Sequence, residues 1–103
     1  MAVVDISEYR TMARDGQNAV IQTGIEPSTV NQQVAITAGS VQSAAFFDTA
    51  TRFIRVHADA PCRIEIGVNP TAAATSKRMA AGASEYFGLP GGTPFKIAVI
   101  TTT

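Results

Sequence analysis

Between Arg52 and Val68 the chain reads RFIRVHADAPCRIEIGV, two runs in which apolar and polar residues alternate on either side of Asp59-Ala60-Pro61. A period of two marks a half-buried strand, because successive side chains point to opposite faces. With residues 59–61 as the loop, Ala58 comes opposite Cys62, Val56 opposite Ile64 and Ile54 opposite Ile66, so every apolar partner shares one face. The other face collects His57 with Arg63, Arg55 with Glu65, and Phe53 beside Gly67. Slipping the pairing by one residue would mix charges with aliphatics on both faces. The spacing therefore predicts two neighbouring strands in this register.

Four further runs rich in Val, Ile, Phe, Tyr and Thr read as strands: Ala19 to Gln22, Val30 to Thr37, Ser84 to Leu89 and Phe95 to Thr101. In the last, Phe95, Ile97 and Val99 fall on one face and Lys96 on the other. Turn chemistry separates these runs at Gly24 to Pro27, at Ala38-Gly39-Ser40 and at LPGGTP, Leu89 to Pro94. Short strands at this spacing predict an all-β, single-domain β-sandwich or jelly roll over residues 15–103. Two segments stay open. Asn69-Pro70 and the following TAAATSKRMAAG obey helix punctuation, with Gly82 past the end, but the apolar stripe holds only alanine and Met79. A loop leading into a short strand fits as well. Residues 1–14 read as an N-terminal arm leaving the domain, or as a short helix over Ser7 to Arg14 stopped by Asp15-Gly16.

At 103 residues a single domain buries roughly 65% of the surface that its unfolded chain exposes, an adequate core without metals or bridges. The 8 basic and 8 acidic residues cancel and are scattered. No long-range field then favours phosphate backbones or anionic lipid, so nucleic acid and membrane are not expected partners. The opening MAVVDISEYR has no basic segment followed by a long apolar run, and no stretch reaches the ~20 apolar residues of a membrane span. The 1 cysteine cannot form an internal disulfide, which suits folding in a reducing cytosol.

Reactive residues do not combine into a reaction. His57 and Cys62 flank the same loop, yet the predicted register turns the imidazole outward and the thiol inward, so neither could take the other's proton. A lone histidine and a lone cysteine leave only carboxylates for a metal, and no acidic pair has the spacing of a calcium loop. Asp48, Asp59, Glu65 and Glu85 read as turn or solvated strand residues rather than a glycosidase pair. Gly91-Gly92 lacks the lysine and helix of a phosphate cradle. Proline blocks glycosylation at Asn69-Pro70-Thr71. Arg55, Arg63, Lys77 and Arg78 read as solubilising charge or a small contact rim. No catalytic residue, cofactor, metal or small-molecule substrate is expected.

One resemblance runs along nearly the whole chain. The ordered series ISEYRTMARD, Glu26-Pro27, SAAF at Ser43 to Phe46, TRFIRVHADAPCRIEIGVNPTA, RMAAG, EYFGLPGG and KIAVI resembles small structural proteins of tailed bacteriophages, of the head decoration, cement or head-completion kind. The resemblance implies a non-enzymatic virion protein that binds the major capsid protein or other virion proteins, stabilises the head and folds in the host cytoplasm. It implies a compact β-fold clamping neighbouring subunits with loops or an arm, and a homo-oligomer engaging a repetitive lattice. The candidate contacts are Val3, Val4, Ile6 and Tyr9, whose apolar character exceeds what a free tail exposes, with Pro90, Gly91 and Gly92 of the loop ending at Pro94. The rival is a β-sandwich module of a tail or fibre recognising host carbohydrate. Sugar sites favour exposed aromatic platforms, whereas this chain has no tryptophan and most of its aromatics lie in strand candidates where packing explains them.

Overall fold

The computed structural model describes residues 2–102, and at residues 21–23 the backbone alone. The strands are β1 (Val3–Tyr9), β2 (Met12–Arg14), β3 (Val20–Gly24), β4 (Val30–Ala35), β5 (Val41–Gln42), β6 (Phe53–Ala58), β7 (Cys62–Gly67), β8 (Lys77–Met79), β9 (Ser84–Gly88) and β10 (Lys96–Thr101). Two four-stranded antiparallel sheets, ordered β4-β1-β6-β9 and β5-β10-β7-β8, enclose the core of a β-sandwich, and β2-β3 forms a separate hairpin. Val4, Ile6, Val34, Ile54, Val56 and Ala58 from the first sheet meet Cys62, Ile64, Met79, Ile97 and Val99 from the second, with Phe47 from a loop. Alternation along each strand supplies this oily layer and leaves polar residues outside.

The run that announces the fold crosses the sandwich rather than pairing with itself. Strand β6 pairs with β1 and β9, while β7 pairs with β10 and β8, so the expected neighbouring strands lie in opposite sheets. Ile54, Val56 and Ala58 still share the core with Cys62 and Ile64, but across it. Alternation reports which face is buried and is equally satisfied by both arrangements. The loop decides. Tight hairpin turns need positive φ, and among the described residues positive φ occurs at Asn18, Gly82 and Gly92 only, none in 59–61. Asp59 N–H donates instead to Val3 O at 3.1 Å, and Pro61 O accepts from Thr102 N–H at 3.3 Å, tying the loop to one sheet on each side. The expected Arg55–Glu65 and His57–Arg63 neighbours are thus replaced: Arg55 and His57 bond Ser84, while Arg63 and Glu65 bond Ser76.

The N-terminal segment is not an arm. Strand β1 sits between β4 and β6, with Ile6 opposite Gln32 on one side and Val56 on the other. Val4 and Ile6 belong to the core and Tyr9 is buried, so Val3, Val4, Ile6 and Tyr9 are structural residues rather than a detachable contact element. The sequence hid this because Glu8 occupies a core-facing position. Its carboxylate is buried: Oε1 accepts from Asp48 N–H at 2.9 Å and from the Thr51 hydroxyl at 2.7 Å, pinning residues 48–51 beneath β1. Oε2 has no partner among the described residues.

Residues 70–76 form a loop leading into β8, not a helix. Ser76 organises it, accepting from Ala73 N–H at 3.0 Å and donating to Glu65 Oε1 at 3.1 Å. An alanine stripe offers too little area to hold a helix against the sheet, whereas Met79 in β8 is fully buried.

Candidate functional site

Two surfaces stand out, one at an end of the sandwich and one on its outer face. The end is defined by register. Tyr9, Val30, Phe53, Gly88, Gly67 and Lys96 are strand termini on the same side of the molecule. There β1 passes through Arg10 and Thr11 into the β2-β3 hairpin. A six-residue strand spans only ~20 Å, so the 46 × 27 × 22 Å dimensions of the chain accommodate a hairpin extending beyond the sheets.

Local chemistry explains why the hairpin forms. Asp15 Oδ1 accepts from Gln17 N–H at 2.8 Å and Ala19 N–H at 3.0 Å, while Asp15 O accepts from Asn18 N–H at 3.0 Å. Asn18 takes φ 64°, a left-handed conformation that asparagine tolerates better than most residues. At its base the hairpin is clamped onto the sheet. The Tyr9 ring packs directly on Gly24, where a Cβ would run into Tyr9 Cγ. The ring is also held by Phe53 at 5.9 Å between centroids. Its hydroxyl donates to Glu26 Oε2 at 2.8 Å, next to the cis Glu26-Pro27 bond. Burial, followed by that carboxylate, raises the phenol pKa above its ordinary value.

Two loops complete this end. Arg10 Nη2 pairs with Asp48 Oδ2 at 3.2 Å, and the Asp48 carboxyl is held below its ordinary range by Ala50 N–H and then by that guanidinium. The Arg52 guanidinium lies against Gly91, where a side chain would have to displace it, and its Nη1 donates to Thr49 O at 3.0 Å. Gly92, at φ 90°, donates its N–H to the same carbonyl at 3.1 Å. Pro90, Gly91 and Gly92 are therefore exposed beside the hairpin base. Of the six large hydrophobics most exposed among the described residues, five lie at or beyond this end: Val20 (55%), Ile25 (46%), Val30 (38%), Phe46 (51%) and Val68 (52%). Lys96 Nζ sits 4.6 Å from the centre of the Phe46 ring.

The outer face of the β4-β1-β6-β9 sheet is polar. Register aligns Gln33, Asp5, His57 and Ser84 in one row and Asn31, Ser7, Arg55 and Tyr86 in the next. Gln33 Nε2 donates to Asp5 Oδ1 at 2.7 Å, Arg55 Nη2 donates to Ser84 Oγ at 3.2 Å, and Ser84 Oγ shares a hydrogen bond with His57 Nδ1 at 2.9 Å. A shallow groove of about 390 Å³ runs along Asp5, Ile6, Ser7, Asn31, Gln32 and Gln33. Elsewhere on this face Phe53 of β6 and Tyr86 of β9 stack at 5.6 Å, with Tyr86 exposed.

Neither surface presents an assembled reaction centre. Ser84 and His57 form a hydroxyl–imidazole pair that the sequence did not disclose, since it depends on β6 pairing with a strand 27 residues away. No carboxylate among the described residues bonds that imidazole, because Asp5, opposite it in register, accepts from Gln33. Cys62 is fully buried, and burial, then the charge of Glu85, raises its thiol pKa. Among the described residues no three of His, Cys, Asp and Glu come together as a metal site requires.

Fold and surfaces define a β-sandwich carrying a clamped hairpin. No family model, curated protein or solved structure matches this chain.

Proposed function

We propose that this chain is a non-enzymatic structural protein of a tailed-phage virion, binding the capsid and stabilising the head as a decoration or cement protein. The carrying observation is that Val20, Ile25, Val30, Phe46 and Val68, five exposed apolar side chains, lie at or beyond the end that bears the hairpin and the Pro90–Pro94 loop. Exposed apolar side chains concentrated on one part of a small domain mark a protein-contact surface. The ordered resemblance to phage structural proteins supplies the class of partner. The hairpin takes the clamping role that the sequence suggested for the N-terminus, and the rigid Tyr9–Gly24–Glu26 base holds it in place without a partner. Pre-organisation of this kind lowers the entropic cost of docking.

The double substitution Val20→Asp, Ile25→Asp tests the assignment. Both positions are exposed, so the sandwich keeps its melting temperature, while binding to heads lacking the protein falls by tenfold or more. Full occupancy by the variant would exclude this end as the contact.

The polar outer face favours a second reading, recognition of carbohydrate. Tyr86 offers an exposed ring beside Arg55, and β1 and β4 of the same face carry a groove lined with amides and a carboxylate, a chemistry suited to sugar hydroxyls. A glycan array decides it: a specific hit abolished by Tyr86→Ala supports this reading, and an empty array removes it.

A further inference from the structure

Four strands terminate the two sheets, and three of them carry protection against pairing with another chain. Strand β5 has two residues; β8 has three, including Lys77 and Arg78; β9 turns Glu85 to the core-facing side, opposite Val56, and is followed by Pro90. Short length, charge and inward-pointing carboxylates are the usual devices that blunt an edge. Strand β4 has none of them. Its sequence VNQQVA is uncharged and proline-free, and it pairs with β1 in unbroken register from Val30 to Ala35. Ile36 N–H donates to Ala2 O at 3.0 Å, which fixes the phase of the ladder. By alternation the even-numbered residues turn their backbone groups toward β1, and Asn31, Gln33 and Ala35 turn theirs to the free edge.

We propose that β4 is a homodimerisation edge, pairing antiparallel with β4 of a second copy about a two-fold axis at Gln32. The sequence around that residue reads nearly the same in both directions. In this register Val30 faces the partner's Val34, Asn31 faces the partner's Gln33, and Gln32 faces its own counterpart. Aliphatic meets aliphatic and amide meets amide, and no like charges oppose each other across the axis. On the axis lies the Gln32 side chain, whose Nε2 donates to Ala45 O at 3.4 Å and whose occluded oxygen has no donor among the described residues. The product is one continuous eight-stranded sheet. Its two hairpin-bearing ends point in opposite directions, so the dimer offers the same contact surface on each of two opposite sides. The proposal does not depend on what that surface binds.

Sedimentation of the purified full chain over a concentration series tests it without any virion component. The expected result is a rise from monomer to twice that mass. Gln33→Pro removes an edge donor where proline is tolerated, and Asn31→Lys installs the missing edge charge; each raises the dissociation constant at least tenfold. Hydrogen exchange on the unmodified chain gives the same answer should the proline variant fail to fold, because the Asn31, Gln33 and Ala35 amides gain protection as concentration rises. A monomer throughout the series, a dimer indifferent to Asn31→Lys, or edge amides exchanging equally fast at every concentration would overturn the proposal.

Discussion

Substituting Ile6 by alanine separates an interior strand from a dispensable arm. Ile6 is 1% exposed, flanked in register by Gln32 of β4 and Val56 of β6, and part of the main core cluster. The change removes three carbons at about 0.8 kcal/mol each in transfer free energy. Neighbours fixed in two hydrogen-bonded ladders cannot close over the gap, and the residual cavity brings the cost to roughly 3–4 kcal/mol. A domain of this size has a stability on the order of 5–15 kcal/mol, so the midpoint of urea unfolding falls sharply with an unchanged slope. Val20→Ala, at an exposed hairpin position, serves as the control and costs less than about 0.5 kcal/mol. Equal, small effects at both positions would refute the placement of β1 inside the sheet.

Three further outcomes follow from the same packing. Gly24→Ala drives a methyl into the Tyr9 ring close to its root, where rotation gives little relief; the expected cost is about 1–3 kcal/mol, with lost protection of the β2-β3 amides in hydrogen exchange. Glu8→Ala strands the Asp48 N–H and the Thr51 hydroxyl and costs on the order of 2–4 kcal/mol, whereas Glu8→Gln, which keeps the accepting oxygen, costs less; equal losses in denaturation experiments would count against the staple. Cys62 has a raised folded-state pKa, so its contribution is complete below the unfolded thiol's pKa near 9 and is lost as pH rises through the folded value. A thiol reagent should label it only through unfolding, and labelling at the rate of a free cysteine would contradict its burial.

The strands most legible in the sequence were those whose alternation is uninterrupted. Ile54 to Ala58, Cys62 to Ile66, and Ile97 with Val99 all place their apolar sets in the core. Alternation specifies a face but not a neighbour, which is why β6 and β7 could be taken for a hairpin when they sit in opposite sheets. Strand β1 was obscured by Glu8, because a charged residue at an inward position is recognised as structural only when its distant partners, Asp48 and Thr51, are known. The hairpin was half visible in the residues from Ala19 to Gln22. Its other strand was too short, and too close to the misread N-terminus, to be paired with it. The end proposed as the contact shows the same division. The Pro90–Pro94 loop announced itself through turn chemistry, whereas the placement of Val20, Ile25, Phe46 and Val68 at or beyond one end depends on a topology no local pattern encodes.

Quantitative mass spectrometry of tailed-phage particles purified from cells that produce this chain addresses the proposed role most directly. A decoration or cement protein distributed over a symmetric head should be present at on the order of hundreds of copies per particle. Its absence from intact, purified particles would contradict a structural role in the virion.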